Sequence, residues 1–268
     1  LTLTAVTAEA GVNTWVTSCS VTSRSSYLNN LDSYQALVER TRERDPDFSR
    51  FEKTSRVTKN DGTLVGYPTA SLFSSTSNGH VQEFYDKMGM TDSKVFYCFD
   101  GATPLSSSLL GVRYMFSRSS QEDPTLYTLI DQEGDIYLYE CRYSLPLGFM
   151  VSADFSASLP DSGGEQASAL DELLGDLEDT RTDTLEQSMD TEGATPLDTQ
   201  NRMAQALGVE GSLFTSVGVM QESNGASVIT ADMGGHYYAW IGDTGVDTLK
   251  MESEAGSKTF SKLKYHYI

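Results

Sequence analysis

After Phe155 the aromatic side chains stop, and the stretch from residue 152 to 199 is dominated by Ser, Thr, Gly, Asp and Glu. Between Asp161 and Gln200 it holds twelve acidic residues against one basic residue, Arg181, a net of −11 out of −19 for the whole chain. Such a composition has little apolar surface with which to offset the entropy of ordering a backbone. It therefore reads as an acidic linker or insertion, and any fold must be built on its two sides, residues 1–151 and 200–268. One piece of it differs. Gln166 to Leu177 places Leu170, Leu173, Leu174 and Leu177 at helical spacing, as in a helix lying on its own domain or docking on a partner.

Outside that stretch the chain is only mildly acidic, and 38% hydrophobic and 10% aromatic residues among 268 allow a sizeable core. The net charge repels phosphate backbones, so nucleic acid is not an expected partner. An anionic membrane surface is equally unsuited to the chain as a whole. Cys19, Cys98 and Cys141 have neither metal-ligand nor redox spacing, and three cannot all pair within one chain. They read as buried or half-buried thiols, and a Cys98–Cys141 bridge would require their strands to be neighbours. No run has the length of a membrane span and no signal peptide opens the sequence. The polar start at Leu1 and the strand-like Lys264–Ile268 both look cut, so a piece of a larger protein is expected.

The pattern on the N-terminal side alternates helix and strand. A helix is expected from Asn30 to Arg44, with Leu31, Tyr34, Leu37 and Val38 on one face and Pro46 ending it. Phe48–Val57 reads as a strand, Asn60-Asp61-Gly62 as a turn, and Thr63–Tyr67 as the returning strand. A helix beginning at Ser77 or Asn78 carries Val81, Phe84, Tyr85 and Met88 inward, with Gly89 past its end. Strand Lys94–Phe99, helix Pro104–Leu110 and strand Val112–Phe116 follow. Leu126–Ile130 and Ile136–Tyr139 form a hairpin through Gln132–Asp135. These elements predict an α/β lobe with a mixed sheet ending near Val151. After a helix at Thr199–Leu207, strands near Leu213–Gln221, Ala226–Asp232, Tyr237–Ile241 and Thr259–Tyr267 predict an antiparallel, sandwich-like section. The fold class expected is α+β.

Catalytic chemistry is hard to assemble from these residues. His80, His236 and His266 fall in three different elements with no metal-ligand spacing, so no metal site is expected. There is no Gly-x-Ser-x-Gly elbow and no phosphate-binding glycine loop, so no cofactor is expected either. Ser74 and His80 could be imagined with an aspartate as a triad, but so many serines make that coincidence cheap. Asp45-Pro-Asp47 matches a cation-binding Asp-x-Asp, yet it follows a helix and contains the proline that stops it. More suggestive is the density of aromatics: Tyr67, Phe73, Tyr85, Tyr97, Tyr114, Tyr137, Tyr139, Tyr237, Tyr238 and Trp240. Such rings stack on sugars, and they also pack half-exposed sheets.

Several segments occur together in order: Ser25-Ser-Tyr27, Phe51-Glu-Lys-Thr54, Lys59-Asn-Asp-Gly62, Gly66-Tyr67, Phe73-Ser-Ser-Thr-Ser-Asn78, Leu109-Leu-Gly-Val-Arg-Tyr114 and Leu145-Pro-Leu-Gly-Phe149. Over residues 20–150 this order resembles the large extracytoplasmic region of the YfhO-type bacterial membrane proteins. Residues 207–268 fit the start of that family's C-terminal β domain, whereas the acidic stretch 152–199 is longer and more polar than the resemblance implies, so nothing transfers to it. The resemblance implies a multi-pass parent similar in plan to lipid-linked-sugar glycosyltransferases that modify envelope polymers such as teichoic acids. It implies that the catalytic carboxylate lies near the membrane helices and outside this chain. The lobe would then be non-catalytic alone, with the transmembrane part of its own parent and an envelope polymer or glycan as partners. For ligand binding the residues singled out are Asp61, Tyr67, Ser74, Ser75 and Asn78, which flank one turn and one helix start with free N–H groups. The competing readings are a free-standing glycan-binding module, an interaction domain working through Leu170–Leu177, and, more distantly, a soluble hydrolase.

Overall fold

The computed structural model describes residues 2–19, 24–150, 195–216, 220–223, 226–229, 237–240, 248–253 and 256–261. The chain opens with helix α1 (Thr2–Cys19) and a single turn, α2 (Arg24–Tyr27). Helix α3 (Leu31–Arg44) follows as the apolar spacing requires, burying Tyr34, Leu37, Val38 and Thr41. Its arginine-rich face remains toward water, and Arg40 ties it to the sheet through Asp131 at 3.0 Å and Glu133 at 2.9 Å.

Four strands make the main sheet: β1 (Arg50–Lys53), β5 (Val112–Ser117), β6 (Tyr127–Glu133) and β7 (Ile136–Cys141), in the order β1-β5-β7-β6. β1 runs parallel to β5, and the other pairs are antiparallel, so the sheet is mixed. A parallel pair needs a long crossover. Here it consists of α4 (Asp61–Val65), β2 (Leu72–Phe73), α5 (Gly79–Lys87), β3 (Asp92–Ser93), β4 (Phe96–Tyr97) and α6 (Pro104–Leu109). β2, β4 and β3 form a small antiparallel sheet of their own.

Two apolar cores result. In the first, α3 lays Tyr34, Leu37 and Val38 on Phe51, Tyr114, Phe116, Ile136 and Leu138, with Val65 and Tyr67 closing the side. Phe116 sits at its centre, 5.1 Å from Tyr34 edge-on, 5.7 Å from Phe51 and 5.6 Å from Tyr67. Truncating such a ring costs about 3–5 kcal/mol. The second core holds Tyr85, Met88 and Met90 together with Met203 of α7 (Pro196–Ala206). Residues beyond the acidic stretch thus complete the packing of the first lobe. Gln200 of α7 is fully buried, accepting from the Thr103 hydroxyl and donating to Met88 O at 2.9 Å. Two further hairpins follow, β8 (Met220–Ser223) with β9 (Ala226–Ile229) and β10 (Thr248–Ser253) with β11 (Gly256–Ser261). The architecture is α+β.

Several local expectations are corrected. Residues 63–65 are not a returning strand but the body of α4. Asp61 gathers the Val57 and Thr58 amides, turning the chain back helically. Gly62 then packs so close to Thr69 and the Tyr67 carbonyl that a Cβ would stand 2.5 Å from the Thr69 methyl. β1 and β4 are shorter than their apolar runs, and α7 starts three residues earlier than expected, at a Thr195/Asp198 capping box followed by Pro196. Residues 213–216 and 237–240 are not strands. Cys98 and Cys141 are free thiols, because one lies beside the small sheet and the other ends β7 of the main sheet. The leucine stripe 170–177, His236 and His266 lie outside the described residues.

Candidate functional site

The residues singled out from sequence separate into two environments. Asp61 and Tyr67 face inward. Asp61 is 2% exposed, its carboxylate 3.0 Å from Lys53 Nζ and accepting from the Val57 and Thr58 amides. Tyr67 is buried in the aromatic core, and burial pushes its phenol above the ordinary range. Ser74, Ser75 and Asn78 lie outside, on the loop from β2 to α5. Asn60 fastens that loop to the α4 turn by exchanging two hydrogen bonds with the Phe73 backbone, at 2.8 and 3.1 Å. The fold therefore brings the two segments together, but it turns their side chains to opposite sides.

Around Asp61 stands a group of withdrawn charges: Glu52, Lys53 and Arg56, with Asp100 at the edge. Glu52 accepts from the Thr69 and Ser71 hydroxyls and the Ala70 amide, and Arg56 lies 3.2 Å away. Burial raises its carboxyl above the usual range, against the pull of Arg56 and these donors. Burial also lowers the Lys53 ammonium, against the attraction of Asp61. Lys53 Nζ lies 3.8 Å from the Tyr34 ring centre. Such charge networks fix the packing of the loops they join. This one joins β1 to residues 57–61, 69–71 and 100.

The other candidates make local contacts. Ser74 Oγ engages Thr76, at 3.2 Å from both its amide and its hydroxyl, while the His80 amide donates to Asn78 Oδ1 at 2.9 Å as a helix cap. Asp45 turns inward to accept from Tyr114 at 2.7 Å and to face Arg113 at 3.0 Å, so the Asp-x-Asp spacing serves the end of α3. Among the described residues no group of three or more His, Cys, Asp or Glu is arranged to hold a metal ion.

What spacing could not show is a cleft of about 700 Å³ between α6, α7 and the segments that follow α7. Its walls carry Leu105, Leu126, Tyr143, Leu213, Phe214, Tyr237 and Tyr238, with Ser108 and Thr215 as polar groups. Tyr143, Leu213 and Tyr237 are 60%, 44% and 46% exposed, so this is open aromatic surface. α7 holds the far wall: Asn201 brackets Phe214, donating to its carbonyl at 2.8 Å and accepting from its amide at 2.9 Å. Phe214 in turn meets Tyr238 edge to face at 5.4 Å. Burial, and then Asp123, raise the Tyr238 phenol, keeping it a neutral donor. Tyr237 and Tyr238 stood out in the sequence as aromatics, but their partners lie more than a hundred residues away on α6. Only the fold assembles them.

The described lobe is α+β, with a closed charged core and an open aromatic cleft. No described helix is long and apolar enough to cross a membrane. Residues 1–231 match the family described as bacterial membrane protein YfhO, and the chain belongs to that family. The match takes in the ordered motifs of residues 20–150 and reaches the β8–β9 hairpin. No curated protein and no solved structure matches the chain.

Proposed function

We propose that this chain is the extracytoplasmic lobe of a multi-pass membrane protein resembling lipid-linked-sugar glycosyltransferases, and that it recognises the glycan or polymer acceptor. The transfer itself falls to groups in the membrane part of the parent. One observation carries the binding role: Tyr143, Phe214, Tyr237 and Tyr238 converge on one open cleft, beside the Ser108 and Thr215 hydroxyls. Aromatic faces stack on the apolar faces of sugar rings while nearby hydroxyls and carbonyls take their OH groups. Membership of a membrane-protein family supports the setting.

Titration calorimetry of the full chain against purified teichoic acid tests this reading. Binding heat is expected, and Tyr237→Ala with Tyr238→Ala should weaken it on the order of tenfold, from two stacking contacts of about 0.5–1.5 kcal/mol each. Asn78→Ala and Ser75→Ala, on the opposite loop, should leave it unchanged. An absence of heat from a chain with an intact unfolding transition overturns the glycan reading.

A further inference from the structure

The cleft between α6, α7 and the segments after α7 is uncharged, in a chain that is 21% charged with a net of −19. Among the described residues its walls are Leu, Val, Pro, Tyr and Phe side chains with the hydroxyls of Ser108 and Thr215. They include no Lys, Arg, His, Asp or Glu. Two helices begin at its rim, α6 with Pro104 and Leu105 and α7 with Leu197. A helix start ordinarily offers an anion free N–H groups and a partial positive charge. Both of these starts are already closed. Pro104 and Pro196 have no N–H at the first position, and the Thr103 and Thr195 hydroxyls take the amides of Ser106 and Asp198. On α7 the Asp198 carboxylate also accepts from the Thr195 hydroxyl at 2.7 Å, so that helix end already faces an anion of its own. The Tyr238 phenol is raised by burial and then by Asp123, a second carboxylate on this side of the lobe.

Resting on the acceptor reading above, we propose that the cleft takes the neutral sugar units of an envelope polymer and rejects its phosphates. A phosphate entering the cleft loses water against apolar walls and gains no cation in return, which is strongly disfavoured. A hexose or N-acetylhexosamine ring loses far less. Its C–H face can cover the exposed rings of Tyr143 or Tyr237, and its hydroxyls find partners of both kinds. The Tyr238 phenol donates. Ser108 Oγ, whose proton is committed to the Pro104 and Tyr143 carbonyls, is left to accept. A lobe built in this way tells a sugar-bearing polymer from a bare one. Because chain and polymer are both anionic, their charges oppose the contact, which sets the sign of its salt dependence.

The test titrates the full chain with two lipid-free probes: poly(glycerol phosphate) carrying neutral hexose or N-acetylhexosamine substituents, and the same polymer unsubstituted. The substituted polymer should bind and the unsubstituted one should give no heat. Raising salt from ~0.05 to ~0.5 M should leave the affinity for the substituted polymer unchanged or higher, since screening removes repulsion rather than attraction. Tyr143→Ala should weaken that binding roughly two- to tenfold, the loss of one stacking contact. Its thermal unfolding should match wild type, because the ring removed is 60% exposed. Two outcomes would overturn the proposal: unsubstituted polymer binding as tightly as substituted, or affinity for the substituted polymer falling on the order of tenfold with salt. In either case the acceptor reading survives with phosphate as the group recognised. If neither polymer binds a chain with an intact unfolding transition, both readings fall together.

Discussion

Lys53 and Asp61 face each other at 3.0 Å with both side chains almost wholly withdrawn from water, at 5% and 2% exposure. Asp61 is also the acceptor that collects the Val57 and Thr58 amides, so one carboxylate holds both a buried ammonium and a chain reversal. Removing one partner of such a pair strands the other. Asp61→Ala is expected to cost about 3–5 kcal/mol of unfolding free energy in urea. Asp61→Asn, which keeps an acceptor for the amides, should cost less. Combined with Lys53→Met it should cost less than the sum of the single changes, by on the order of 1–3 kcal/mol. Strict additivity would show that the two residues act separately.

Acid sensitivity follows from Asp45. The Tyr114 hydroxyl at 2.7 Å, and then Arg113 against the opposing cost of burial, hold this carboxyl below the ordinary carboxylate range. A folded value below the unfolded one gives stability that is present above about pH 4 and lost as pH falls through the folded value. Asp45→Asn should therefore be less stable than wild type near neutrality by about 1.5 kcal/mol, the worth of a hydrogen bond to a charged group. The gap should close as pH drops below about 4. Urea midpoints measured across that range check it, and a gap that persists in acid would mean the residue acts by shape alone.

How much of this was legible in the sequence depends on the range of the forces involved. α3 could be read because Tyr34, Leu37 and Val38 report a helical face directly, and the β6–β7 hairpin because its turn chemistry is local. Residues 63–65 could not, because Thr-Leu-Val has strand character, while the deciding contacts, Asp61 with the Val57 and Thr58 amides and Gly62 against Thr69, leave no mark in apolar spacing. The ordered motifs pointed to the correct family, and two of their residues, Asp61 and Tyr67, are buried in this lobe. The cleft was invisible because α6 and Tyr237, which share its wall, lie far apart in the sequence.

The thiols offer a separate check on the topology. Burial raises Cys98, and it pushes Cys141 up to about 12, so little thiolate is available at neutral pH. In a Cys19→Ser chain neither remaining thiol should react with a disulfide reagent under native conditions, and both should react once denatured. If neither reacts in denaturant without reductant, the two are bridged and the sheet assignment is wrong.

The docking of α7 sets both the stability of the lobe and the shape of the cleft. Met203 fills the second core beside Tyr85, Met88 and Met90, so Met203→Ala should cost about 2–5 kcal/mol. Gln200 contributes differently. Its amide joins the Thr103 hydroxyl to the Met88 carbonyl in a buried site, so Gln200→Leu takes the donor from the Met88 carbonyl, at about 1–3 kcal/mol, while Thr103 keeps Ser106. A chain ending at residue 150 loses both contributions and exposes the methionines, and its thermal midpoint should fall well below that of the full chain. Adding a separate 195–216 peptide should recover part of the loss, since its Thr195/Asp198 capping box and apolar face are self-contained. If the truncated chain unfolds at the same temperature, α7 is an appendage, and the cleft wall formed by Phe214 has no fixed support.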